Sequence, residues 1–296
     1  MIKDLSKKDI EILNLLSDYS ILTISQLASL CFPSRQVTRK KTKDLARKRL
    51  IELIHRDFSH ITGRSENIVR LSPKSLKLLS ESEYRDREIP SQLSFGTGLH
   101  DIEHQLLINW VRLHLDFMER KASHIKVNFL SPQLHQNLYQ ISIEDSGLSS
   151  SLIPDGIFSL SNTQQNRALL FFLEVDMGTE TLSSSRTETK NVRKKILAYQ
   201  HIFREMLYKK FENSLQASFT GFRTLFLADT TTRLKQLCQL TQSIRSTDFI
   251  WLTDKESLFS NGISDRIWVK GGKEDKEQYS ILGPSLASKS PLLPIK

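Results

Sequence analysis

The chain has 296 residues, 39% hydrophobic and 25% charged, the balance of a folded protein rather than a disordered or fibrous one. No apolar run reaches the roughly 18 residues that a membrane span needs, and Cys31 and Cys238 are too few and too far apart for a disulfide framework or a zinc cluster, so a cytoplasmic protein without structural zinc is expected. The net charge is +9, concentrated in residues 1–90 with 18 Lys and Arg against 12 Asp and Glu, and such a surface favours polyanions through long-range attraction and counterion release.

The first predicted element is a helix over "SKKDIEILNLLSDYS", with Ser6 as its cap and Ile10, Ile12, Leu13, Leu15 and Leu16 at helical spacing. A short second helix in "LTISQLASLCF" is capped by Thr23, turns Ile24, Leu27 and Leu30 to one face, and is stopped by Pro33. "SRQVTRKKTKDLARKRL" predicts a third helix, capped by Ser34, with Val37, Leu45 and the stem of Lys41 directed inward. Eight of its residues are Lys or Arg and only Asp44 opposes them. Arg35, Thr38, Arg39 and Thr42 share one face by spacing, and with Lys40, Lys43 and Arg47 they form the expected DNA-contacting set. "LIELIHRDF" and "NIVRL" follow as strands around the polar turn "SHITGRSE", whose Arg64 is the expected backbone contact, and "SPKSLKLLSE" is a further helix. Three helices and a hairpin over residues 1–84 make a winged helix-turn-helix, which sets its third helix in a major groove. The alternative for the charge run is a solvated helix face.

Residues 85–98 are polar, carry Pro90, Gly96 and Gly98, and lack periodicity, so they are expected to link two domains. Residues 99–270 then alternate as α-β-β-β-α-β-α-β, which packs economically as a three-layer α/β/α domain around a central mixed sheet. "RALLFFLEVDM" is apolar enough to be a central strand covered on both faces. The tail 271–296, with three prolines, is expected to be at least partly mobile. The fold class expected is therefore α+β.

Charged residues inside apolar strands demand a partner or a task. Asp155 follows Pro154 in "SLIPDGIFSL", and Glu174 and Asp176 end the next apolar run. Were the two strands neighbours, the three carboxylates would converge and suit a hard divalent cation. Against this stand a turn role for Asp155 and an ion pair from Glu174 to Arg186, Lys190 or Arg193. Gly178 and Thr179 either face an anion with their amides or simply connect strand to helix. No Gly-rich phosphate loop and no "GxSxG" is present.

Pro154, Asp155 and Glu174 resemble the "PD" and second acid of the restriction-endonuclease-like PD-(D/E)XK superfamily over about residues 100–252. That resemblance implies a nuclease using Mg²⁺ or Mn²⁺ held by Asp155, Glu174 and Asp176, but the family's lysine falls on Asp176. Lys190 or Lys194 of the next helix would have to replace it, or the fold has become a binding platform. A wider resemblance covers nearly the whole chain. The winged helix, a helix opening with His100, Asp101 and Glu103, "PDG", "LEVDMGTE", Lys190 and Tyr199 are similar to the replication-relaxation family of plasmids and other mobile elements. It implies DNA binding in replication, mobilisation or transcription control, with duplex DNA and replication or mobilisation proteins as partners; a second copy of the chain on paired half-sites is expected from the winged helix itself. No cofactor is expected for DNA binding, and no membrane partner. A protein-interaction module is the remaining expectation.

Overall fold

Ser6 accepts a hydrogen bond from the Asp9 N–H while Asp9 accepts one from the Ser6 N–H, and this reciprocal cap opens α1 (Lys7–Tyr19). In the computed structural model, which describes residues 5–54, 66–80, 99–132, 135–145, 148–182, 191–273 and 277–283, the chain divides into two compact units, Met1–Leu113 and His114–Lys296. Among the described residues no helix is long and apolar enough to cross a membrane.

In the first unit α1 is followed by β1 (Ile21–Thr23), α2 (Ile24–Cys31), α3 (Arg35–Arg47), β2 (Ile51–Ile54), β3 (Ile68–Leu71) and α4 (Pro73–Ser80). Thr23 and Gln26 repeat the reciprocal cap at α2. The three strands form an antiparallel sheet in the order β1-β3-β2. Ile12, Leu13 and Leu16 of α1, Leu27 of α2, Leu45 of α3 and Val69 of β3 close the core beneath it. The turn between β2 and β3, with Arg64, lies outside the described residues, as does the expected linker 85–98.

The division between units falls inside α5 (Leu99–Lys121), and hydrogen bonding explains why. Gln26 donates to the Leu106 carbonyl at 2.9 Å, Asn109 donates to the Tyr19 and Ile21 carbonyls, and the Arg112 guanidinium donates to Asp18 while stacking 3.7 Å over the Tyr19 ring. Those polar groups are buried and partnered, so the first half of α5 is a structural part of the N-terminal unit.

The second unit is built on a seven-stranded mixed sheet, so the expectation of an α+β chain with a central mixed sheet holds. Its described strands are β4 (Ile125–Leu130), β7 (Gly156–Asn162), β8 (Arg167–Asp176), β9 (Phe222–Ala228), β10 (Ile250–Asp254), β11 (Trp268–Lys270) and β12 (Gln278–Tyr279), in the order β12-β11-β10-β9-β8-β7-β4. β8, β9 and β10 run parallel and the outer pairings are antiparallel. β8 is buried from Leu170 to Asp176, as its apolar run predicts. Its further helices are α6 (Gln136–Tyr139), α7 (Val192–Arg204), α8 (Glu212–Leu215), α9 (Thr231–Gln242) and α10 (Lys255–Asn261), of which α7 and α9 cover one face. Val192 and Ile196 meet Phe226 and Ala228, with Leu237 and Cys238 alongside.

Two sequence expectations change here. "SLIPDGIFSL" is two strands, because Pro154 has no N–H to give a ladder. β5 (Ile141–Asp145) and β6 (Leu148–Leu152), on either side of residues 146–147, form their own two-stranded sheet, and β7 starts afresh at Gly156. The expected tail begins too early, since β12 pairs with β11 and Ile281 and Leu282 are buried. Just after β11, Gly271 lies against Thr247, where a Cβ would collide with the Thr247 carbonyl oxygen.

Candidate functional site

The cationic surface is carried by α3. Ser34 accepts a hydrogen bond from the Val37 N–H and so starts the helix. Its inner face is Thr38, Thr42 and Leu45, all essentially inaccessible. The Thr38 hydroxyl donates to the Ser34 carbonyl and the Thr42 hydroxyl to the Thr38 carbonyl, at 2.9 and 3.0 Å. Thr38 and Thr42 are therefore corrected out of the expected DNA-contacting set: their short side chains satisfy their own hydroxyls on the preceding turn and pack inward. Val37, expected inward, is 45% exposed. The Thr pair, and not Val37, holds the core side of the helix.

With that phase the outer stripe is Gln36, Lys40, Lys43 and Arg47, at i, i+4, i+7 and i+11, flanked by exposed Arg35 and Arg39. Lys41 turns back to α1 and pairs with Asp9 at 2.7 Å. Burial would raise the Asp9 carboxyl, but hydrogen bonds from Lys41 and Ser6 hold it below its ordinary value. This pair fixes α3 against α1. The one acid of α3, Asp44, pairs with Arg47 at the exposed surface at 3.0 Å.

The carboxylates lie at the C-terminal end of β8. The antiparallel register that pairs Gly156 with Leu173 brings Asp155, just before β7, beside the end of β8, where its charge acts on Glu174. Asp155 donates its N–H to the Leu173 carbonyl and accepts the Val175 N–H on its carboxylate at 2.7 Å. Glu174, 1% exposed, accepts the Tyr199 hydroxyl at 2.6 Å and the Lys195 ammonium at 3.0 Å, and Lys195 also pairs with Glu180. Burial, reinforced by Asp155, pushes Glu174 up to about 7 against the pull of Lys195 and Tyr199. Burial and the Glu174 charge raise the Tyr199 phenol well above its ordinary value, so it remains a donor. Burial opposes the charged form of Lys195, yet Glu174, Asp155 and Glu180 keep its ammonium charged.

Asp176 leaves this group. Arg233 of α9 grips it through Nε at 3.0 and 3.1 Å and through a terminal nitrogen at 3.0 Å, and also donates to the Glu180 carbonyl. The Gly178 N–H donates to Asp176 at 2.7 Å, so the amide turn serves this chain's own carboxylate. A positive φ of 76° makes glycine the natural residue there. The three carboxylates do not fit a shared cation as the side chains stand. Both Glu174 oxygens and both Asp176 oxygens are occupied by donors, and among the described residues no three His, Cys, Asp or Glu side chains group as a metal site.

Lys190 lies outside the described residues. Lys194 gives its backbone N–H to the Asn191 cap, and it is the adjacent Lys195 that reaches Glu174. The signal was present in the sequence: with Asn191 as cap, Lys195 and Tyr199 are i and i+4 beside the buried stripe Val192, Ile196 and Ile202.

The sequence profile described as replication-relaxation matches residues 13–215, well over half of the chain, from α1 through β8 and α7. The chain belongs to this family. The matched stretch takes in both α3 and the "LEVD" strand end, so the family relationship covers both candidate surfaces. No curated protein and no solved structure gives a match.

Proposed function

We propose that this replication-relaxation family member is a duplex-DNA-binding protein of a plasmid or other mobile element, acting in its replication or mobilisation. The N-terminal unit is taken as a winged helix-turn-helix with α3 in the major groove. The observation that carries this is the outer stripe of α3, where Lys40, Lys43 and Arg47 stand exposed opposite a buried Thr38-Thr42-Leu45 stripe. The element order and the β1-β3-β2 sheet support it. Binding needs no cofactor on this view, and a pair of chains on paired half-sites follows from the usual geometry of such domains.

The test is fluorescence anisotropy of the full chain on labelled duplex across a salt series. Lys40→Ala, Lys43→Ala and Arg39→Ala are each expected to weaken binding and flatten the log–log salt slope by about one. Slopes unchanged in all three variants would overturn the proposal.

A second reading is a metal-dependent endonuclease, favoured by the Lys195–Glu174 contact, which supplies a lysine beside the second acid. The occupied carboxylates count against it, and no catalytic step is derived. Mg²⁺- or Mn²⁺-dependent nicking of supercoiled plasmid, lost in both Asp155→Ala and Glu174→Ala, would establish it. Absence of nicking in the DNA-binding wild type would remove it.

A further inference from the structure

Seven side chains of α3 are exposed: Arg35, Gln36, Val37, Arg39, Lys40, Lys43 and Arg47. Five are cations, which contact phosphate on any sequence or a guanine edge. The two that are not charged, Gln36 and Val37, are adjacent. A single exposed apolar side chain needs no explanation by itself. Here the Val37 methyls, 45% exposed, sit next to a carboxamide that has no hydrogen-bond partner among the described residues, and cations surround both. Gln36 opens the outer stripe that continues through Lys40 and Lys43, so whatever polyanion these lysines hold is brought against it.

The chemistry of the pair is specific. A glutamine carboxamide matches the N6 donor and N7 acceptor of adenine with two hydrogen bonds, and an aliphatic side chain packs on the C5-methyl of thymine, both on the major-groove edge. We propose that Gln36 and Val37 are the base-reading residues of this protein: Gln36 selects adenine and Val37 the thymine methyl of a neighbouring A·T pair, while the flanking cations supply sequence-independent affinity. The proposal rests on the DNA-binding function given above and names the part of the duplex that α3 distinguishes.

The test uses the full chain. A binding site is selected from random duplexes with wild type, and affinities are then measured on that site, on single-base variants of it, and on unrelated duplex. Gln36→Ala is expected to lose about 5- to 150-fold in preference at one A·T position while keeping wild-type affinity and salt slope on unrelated duplex. Gln36→Glu is expected to shift that position towards cytosine, whose N4 amino group a carboxylate accepts. Replacing one thymine by uracil, which removes only the methyl, is expected to weaken wild type about fourfold and leave Val37→Ala unaffected. Selection that yields no A·T-dependent position, or a Gln36→Ala protein with the wild-type site preference, overturns this proposal and leaves DNA binding standing. A wild type with no salt-dependent duplex affinity overturns both.

Discussion

Glu174 and His114 are buried titratable residues of the second unit whose ionisation pulls stability in opposite directions. Burial raises Glu174 from 4.5 to about 7, so the folded state holds the proton more tightly, and its contribution is lost as pH rises through that window. His114 is 3% exposed, with its ring edge-on to Phe259 and Nε2 without a hydrogen-bond partner among the described residues. Burial lowers it from 6.5 to about 4, so its contribution is present above 6.5 and lost as pH falls towards 4. Each amounts to about 1.4 kcal/mol per pH unit within its window, and between pH 4.5 and 6.5 the two slopes oppose. Urea unfolding is expected to show a nearly flat contribution from them in wild type, stability rising with pH in Glu174→Gln, and stability falling with pH in His114→Leu. Lys195→Met leaves a buried carboxyl without its counter-charge, a change that typically costs about 3–5 kcal/mol. Its cost is expected to be larger at pH 8 than at pH 5, where Glu174 takes up a proton instead.

At the level of the element, the proposed function has α3 separate stability from binding by face. Thr38→Ala and Thr42→Ala remove buried methyls and hydroxyls and are expected to lower unfolding stability by about 1–2 kcal/mol, with the DNA salt slope unchanged. Alanine at Lys40 or Lys43 is expected to do the reverse, leaving the melting temperature within a degree or two and changing the slope. Thermal melts and anisotropy on the same preparations check both. The existence, the cap and the charge of α3 were legible in the sequence because Ser34, Pro33 and the cationic run are local signals. Its rotation was not, because one valine and two threonines compete for the core side. The threonines fit where their hydroxyls can return to the preceding carbonyl. Spacing alone does not weigh that hydrogen bond against a methyl group.

At the scale of the whole molecule, the N-terminal unit includes half of α5. Residues 1–113 expressed alone are expected to unfold cooperatively by circular dichroism, whereas residues 1–84 are expected to lack a cooperative transition, because Gln26, Tyr19, Ile21 and Asp18 lose Leu106, Asn109 and Arg112. On the proposed function, in which α3 and not the carboxylate cluster carries binding, EDTA is expected to leave duplex affinity unchanged, measured by anisotropy. The sequence by itself determined the short-range features: the capped helices, the central apolar strand, the excess of cations near the N-terminus and the family motif, all of which depend on residues a few positions apart. Only the tertiary structure decided which long-range partners meet. The antiparallel pairing of β7 with β8 brought Asp155 to the Leu173–Val175 backbone, the packing of α7 brought Lys195 and Tyr199 to Glu174, and Arg233, 57 residues downstream, took Asp176. A buried charge takes the partner that the fold delivers, and sequence proximity does not reveal which one that is.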